Sequence, residues 1–192
     1  MKKILIGTNN KGKFKEISYL LSKKIKKISL IKIHTKSPKE TGKTFSANSK
    51  LKADYFSKFT NLPVISDDSG LCINALGGKP GIHSARWAKK YRSFKNAMKF
   101  ILKKIEKKRN RSAIFVCSLS LKYPGKKIVT VEGKIKGSIS RKIIGTRGFG
   151  YDPIFIPQFE SITFGQMPKL KKIQMDHRYL AFKKMKRKIK IL

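Results

Sequence analysis

Acidic side chains are scarce in this chain: ten aspartates and glutamates stand against 47 lysines and arginines in 192 residues, a formal net charge of +37 at pH 7. Arginine is scarce too, eight against 39 lysines. Base readout and bidentate phosphate clamps favour arginine, so this balance argues against a sequence-specific nucleic-acid reader. The lysines are spread along the chain, and only Lys183-Lys184-Met185-Lys186-Arg187-Lys188 resembles a basic arm. Solvated surfaces account for most of this charge, with some polyanion affinity as the alternative, and a positive field draws in small anions such as nucleotides. Cysteine is limited to Cys72 and Cys117, 45 residues apart. That spacing excludes a cysteine metal site and fits a reducing compartment. Long apolar runs are missing. The opening MKKILIG stops at Thr8-Asn9-Asn10-Lys11, short of a signal-peptide core, and nothing approaches the roughly 20 residues of a membrane span. The expectation is a soluble, cytoplasmic protein of one domain, residues 1–192, with no membrane partner and no specific nucleic-acid partner.

What is present alternates between strands and helices. Lys3 to Thr8 reads as a strand, followed by a helix with Phe14, Ile17 and Leu21 on one face. Ile28 to Ile33 reads as a second strand, with Leu30 and Ile31 in its middle. His34 to Lys43 is a polar loop. Ala47, Leu51, Tyr55 and Phe59 predict a helix over 44–59 capped by Thr44. Pro63 to Ser66 reads as a buried strand. The segment Leu76 to Gly81 is too rich in turn residues for regular structure. Ser93 caps a helix whose Phe94, Ala97, Met98, Ile101 and Ile105 face inward. Ala113 to Leu121 and Lys127 to Ile135 read as a hairpin, and Gly145 to Gly150 as a loop leading into a short strand. From about Pro168 the chain reads as helical. The fold class is α/β with a mixed sheet.

Two places carry chemistry. Thr8-Asn9-Asn10-Lys11-Gly12-Lys13, between a strand and a helix, puts backbone N–H groups and two lysines at a helix N-terminus, where orphan amides and the dipole favour phosphate. It is not a Walker A loop, which needs G-x-x-x-x-G-K-[ST]. Asp67 and Asp68 are two of the ten acidic residues and stand side by side after Leu62-Pro63-Val64-Ile65. A turn at a strand end is one reading of such a pair and a held cation is the other. Phosphate and carboxylates at the C-terminal ends of strands face one crevice in an open α/β sheet, and Mg²⁺ is usually held by one or two carboxylates plus substrate phosphates. Glu40 is a further candidate ligand.

These residues match a known family. The chain resembles the inosine triphosphate pyrophosphatase family, the dITP/XTP pyrophosphatases that clear non-standard purine nucleotides, over nearly its whole length. Thr8 to Lys13 is similar to its T-x-N-x-x-K opening, and Ser66 to Ala88, SDDSGLCINALGGKPGIHSARWA, to its central signature. Gly148-Phe149-Gly150-Tyr151-Asp152-Pro153-Ile154-Phe155 matches G-F-G-Y-D-P-x-F, and His177-Arg178 falls where the family has Ser-His-Arg. The resemblance implies a two-lobed fold with a nucleotide cleft between the lobes, a homodimer, and Mg²⁺-dependent hydrolysis of purine nucleoside triphosphates to monophosphate and pyrophosphate. It implies that Thr8, Asn9, Asn10, Lys11, Gly12 and Lys13 hold the triphosphate, that Asp68 is the catalytic acidic residue and a metal ligand with Glu40, and that Ser69 touches substrate. Phe149, Gly150, Tyr151, Asp152, His177 and Arg178 fall to the nucleoside pocket, and Lys172 to a substrate-binding lysine. His177 shares a stripe with Ile173 and Leu180, so it should point inward. The chain departs from the pattern at Ala47, where many members have glutamate, at Gln166 and at Asp176. The rival reading is a basic nucleic-acid-binding protein on an old enzyme fold.

Overall fold

A computed structural model describes residues 2–33, 35 and 37–189. His34 and Lys36, in the expected polar loop, lie outside the described residues. Six strands form one mixed sheet in the order β2-β1-β3-β4-β5-β6. The strands are β1 (Lys3–Ile6), β2 (Lys26–Ser29), β3 (Val64–Ile73), β4 (Ser112–Lys122), β5 (Val129–Ile139) and β6 (Phe155–Pro157). The helices are α1 (Lys11–Leu20), α2 (Phe45–Thr60), α3 (Ser84–Lys90), α4 (Phe94–Lys104), α5 (Lys169–Ile173) and α6 (His177–Lys188). The strand β1 pairs in parallel with β2 and with β3, whereas β5 and β6 are antiparallel.

The chain divides into two compact units. The first comprises Met1–Asp68, Cys117–Gly133 and Arg178–Leu192, the second Ser69–Val116 and Lys134–His177. In the first unit Ile4, Ile6, Ile17, Leu21, Ile65, Leu119 and Phe182 form one apolar core, and Leu5, Leu30, Phe56 and Val64 another. In the second, Leu71, Ile73, Ala97, Met98, Ile101, Phe115, Phe155 and Phe164 pack together. The inward face expected of α4 is thus the one buried, and Ser93 caps that helix by accepting the Asn96 N–H at 3.1 Å. Thr44 caps α2 in the same way, accepting from Ala47 N at 3.0 Å; each cap satisfies an orphan amide of a first turn.

Three expectations, on the second strand, on β3 and on the helix after Pro168, are corrected. The second strand ends at Ser29; Leu30–Ile33 is a 3-10 turn in which Leu30 is buried and Ile31 is exposed. Leu30 and the half-buried Ile33, three residues apart, both meet the core, which is the spacing of a 3-10 turn rather than of a strand. The helix expected over 44–59 is α2; on it Tyr55 and Phe59 are exposed and stack on each other while Asn48, Ser49, Lys52, Ala53 and Phe56 are buried. Here polar partners decide burial over hydrophobicity. Lastly, β3 does not stop before the carboxylates but runs through Asp67, Asp68, Ser69 and Gly70 to Ile73. Aspartate and glycine are poor strand formers, and tertiary contacts override that preference. The expected helix after Pro168 is two helices, α5 and α6, separated at 174–176.

Gly7 follows β1 and donates its N–H to Ile65 O at 2.8 Å. A Cβ there would press on the Ser66 hydroxyl and on the Phe56 ring, both fully buried. Gly7→Ala is therefore expected to lower stability by about 1–3 kcal/mol, the usual range for overpacking a core, with a lower urea midpoint as the measurement.

Candidate active site

In the first unit the loop after β1 is built as the sequence predicts. Thr8 Oγ1 accepts the Asn10 N–H at 3.2 Å, and the Asn10 side chain caps α1 by accepting the Lys13 N–H at 3.0 Å. Asn9 donates to Ser37 Oγ at 2.9 Å. Lys11, Gly12 and Lys13 form the first turn of α1, which is long enough to present backbone amides at its N-terminus. From that turn the Lys13 ammonium reaches Asp67 Oδ2 at 3.0 Å.

Asp67 has no exposed surface. Besides Lys13 it faces the Arg178 guanidinium, with Nε 3.7 Å from Oδ2, and Arg178 Nη1 in turn donates to Glu16 Oε2 at 2.9 Å. Burial alone would raise the Asp67 carboxyl. The charges of Lys13, Arg178 and Lys52 overcome it and hold the group at about 2, against the ordinary 3.8. Asp68 behaves oppositely. Burial pushes it above the ordinary carboxylate range; Lys52 and Lys13 pull it only part of the way back, and Glu40 adds to the rise. Its Oδ2 accepts from Asn48 Nδ2 at 3.0 Å. The neighbouring carboxylates are thus separated in proton affinity, the pattern that distinguishes a structural anion from a proton acceptor.

Glu40 accepts from the Lys52 ammonium at 2.6 Å. Lys52 is buried, which favours its neutral form, but Asp67, Asp68 and Glu40 outweigh that and raise its pKa. It stays a cation. Glu40 and Asp68 interact electrostatically within one unit, and both are hard oxygen donors suited to Mg²⁺. Among the described residues no group of three or more His, Cys, Asp or Glu side chains is placed to hold an ion. Two carboxylates with the remaining positions left to phosphate oxygens and water fit that ion's habits.

The second unit holds Ser69, which is half-buried, and the glycine-rich loop. Asp152 is buried; its Oδ2 accepts both the Phe149 N–H at 2.7 Å and the Lys172 ammonium at 2.6 Å. That ammonium lies 4.8 Å from the Phe149 ring centroid and 5.6 Å from that of Phe164, a cation–π arrangement away from water. Lys172 and Asp152 thereby fix the Phe149 ring, next to Gly150. Tyr151 is part of the core: its ring meets Phe94 edge to face and its hydroxyl donates to Ser84 O at 3.0 Å. His177 points inward as expected and stacks on Phe115 at 4.8 Å, nearly parallel.

His177 and Arg178, adjacent in the first turn of α6, meet different surroundings. His177 belongs to the second unit, whereas Arg178 is buried in the first against Glu16 and Asp67. Sequence reading missed Lys52, Asn48 and Glu16. Lys52 and Asn48 lie four apart on the buried face of α2, whose partners lie outside the helix and are not readable from its own spacing. Glu16 stands one turn beyond Lys13, and its acidity among so many lysines was the available signal. Ala47, at one departure from the family pattern, is exposed at the start of α2, and Gln166 accepts the Thr163 N–H at 3.1 Å.

Residues 4–188 match the model of the Ham1 family. A dITP/XTP pyrophosphatase of Caulobacter vibrioides is 40% identical over 186 residues, covering 96% of each chain. Among solved structures, a HAM1 protein from Coxiella burnetii superposes with a TM-score of 0.88 at 31% identity over the full length of both chains. The Staphylococcus aureus Ham1 protein gives 0.87 at 34% identity, covering 98% of each.

Asp67→Asn tests the ion-pair group. Removing one partner of a buried pair costs on the order of 3 kcal/mol, and urea unfolding should show a loss of that size. The Asp67 charge stabilises the fold fully above pH 3.8 and ceases to do so as the pH falls through about 2. The variant should accordingly lose less stability than wild type over that acid interval.

Proposed function

This chain belongs to the Ham1 family, and on that premise we propose that it hydrolyses non-standard purine nucleoside triphosphates (ITP, dITP and XTP) to the monophosphate and pyrophosphate. The observation that carries the reading is the opposed state of the two aspartates beside a lysine-rich helix N-terminus. Asp67 is a fixed anion that holds Lys13, while Asp68 is a buried carboxylate of raised proton affinity, suited to hold and deprotonate a water.

Hydrolysis at phosphorus needs charge neutralisation and positioning above all. Lys13, with the first-turn amides of α1 and with Thr8, Asn9, Asn10, Lys11 and Gly12 around it, binds the phosphates. Lys52 adds a second ammonium on the same unit. Asp68 and Glu40 would hold Mg²⁺, which when bound supplies Lewis-acid neutralisation of the phosphate oxygens. Asp68 orients the attacking water and takes its proton, and pyrophosphate leaves from the α-phosphorus. Phe149, with Gly150, Tyr151, Asp152, Lys172 and His177 behind or beside it, forms the nucleoside side, and Ser69 contacts substrate next to Asp68. The protein works as a homodimer in the cytoplasm, and no helix among the described residues is long and apolar enough to cross a membrane.

Arg178 is treated differently. Its contacts with Glu16 and Asp67 support holding the phosphate-side anion more directly than reading a base edge.

Pyrophosphate release from dITP with Mg²⁺ is the direct test, and a protein without such turnover would refute the proposal. Asp68→Asn, which keeps shape but not charge or basicity, should lower kcat by ~10²-fold or more with an unchanged circular dichroism spectrum. Arg178→Ala should depress kcat/KM for dITP and dATP in parallel. A loss confined to dITP would return Arg178 to the base pocket that the resemblance implies.

A further inference from the structure

We propose that Asn48 is a positioning residue that sets Asp68 against the loop carrying Glu40. Its side chain is fully buried and has one partner on each side. Nδ2 donates to Asp68 Oδ2 at 3.0 Å, and Oδ1 accepts the Gly42 N–H at 2.8 Å. The amide's orientation is fixed by chemistry, since a backbone N–H can only donate and a carboxylate can only accept. Gly42 lies two residues after Glu40, and Glu40 itself is bound by Lys52, one helical turn beyond Asn48 on the same buried face of α2. One rigid helix therefore grips both carboxylates: Asp68 through Asn48, and the Glu40 segment through Asn48 at Gly42 and Lys52 at Glu40.

Outer hydrogen bonds of this kind orient metal-ligating carboxylates and leave their mark on ion affinity. Fixing Asp68 also leaves Oδ1 as the oxygen not engaged by Asn48, so the amide selects which lone pairs face a metal or a water. Gly42 is part of the device. A Cβ there would lie 2.6 Å from Asn48 Oδ1 and 2.7 Å from the Ala47 Cβ, so even alanine pushes the loop off its anchor.

The proposal relies on the pyrophosphatase reading for its kinetic arm alone, and its other arm is metal binding. Mn²⁺ binding to the full chain, with pyrophosphate present, would be followed by the electron paramagnetic resonance signal of the free ion in wild type, Asn48→Ala and Gly42→Ala. Asn48→Ala is expected to weaken Mn²⁺ by about 10-fold or more, and Gly42→Ala to weaken it in the same direction. With dITP, kcat should fall while KM changes little, because the phosphate-binding residues of α1 are untouched. A folded Asn48→Ala protein with wild-type Mn²⁺ affinity would overturn the proposal. So would wild-type Mn²⁺ affinity in Gly42→Ala if Asn48→Ala fails to fold, or a wild-type protein that holds no Mn²⁺. Wild type that binds Mn²⁺ but leaves dITP intact would refute the pyrophosphatase reading, and the comparison of Mn²⁺ affinities would still decide the role of Asn48.

Discussion

A carboxylate with no solvent contact in the middle of a β-strand is strongly unfavourable alone, and Asp67 is sustained by the cations that reach it. Lys13 comes from the first turn of α1 and Arg178 from the first turn of α6, and Glu16, one turn along α1, takes the other side of Arg178. Two helices and a strand are locked by one set of charges. Desolvation makes such a group costly and makes the removal of any one member costlier. The same charges act on Asp68, since the ammonium held by Asp67 is one of those that keep the Asp68 carboxyl from rising further.

Successive residues of a strand point to opposite faces, which is why adjacent aspartates can meet different surroundings. One side of β3 brings Lys13 and Arg178 to Asp67; the other brings Asn48 to Asp68. A strand that continues through the pair, rather than ending before it, fixes this division. Had the segment been a turn, both carboxylates would have been solvated and nearly equivalent.

The scarcity of acid noted at the outset has a counterpart in space. Of the ten acidic residues, Glu16, Glu40, Asp67 and Asp68 lie in the first unit, each facing a lysine or arginine or, for Asp68, an asparagine amide, and Asp152 faces Lys172 in the second. A chain of such positive charge can keep carboxylates ionised in buried positions, because cations are never far away.

The sequence by itself determined the α/β alternation, the caps Thr44 and Ser93, the inward face of α4, and the family motifs that single out Lys13, Asp68, Phe149 and His177. These are local signals, readable because capping, periodicity and motif spacing involve neighbours along the chain. Tertiary structure alone decided the rest. Nothing within residues 44–60 tells which side of α2 is covered, since Tyr55 and Phe59 end exposed and the side bearing Asn48 and Lys52 finds its partners outside the helix, at Gly42, Asp68 and Glu40. Likewise, the partners of Arg178 lie at Glu16 and Asp67, over a hundred residues earlier. Charges of opposite sign attract regardless of sequence separation, and only folding reveals which of 47 cations meets which of ten anions.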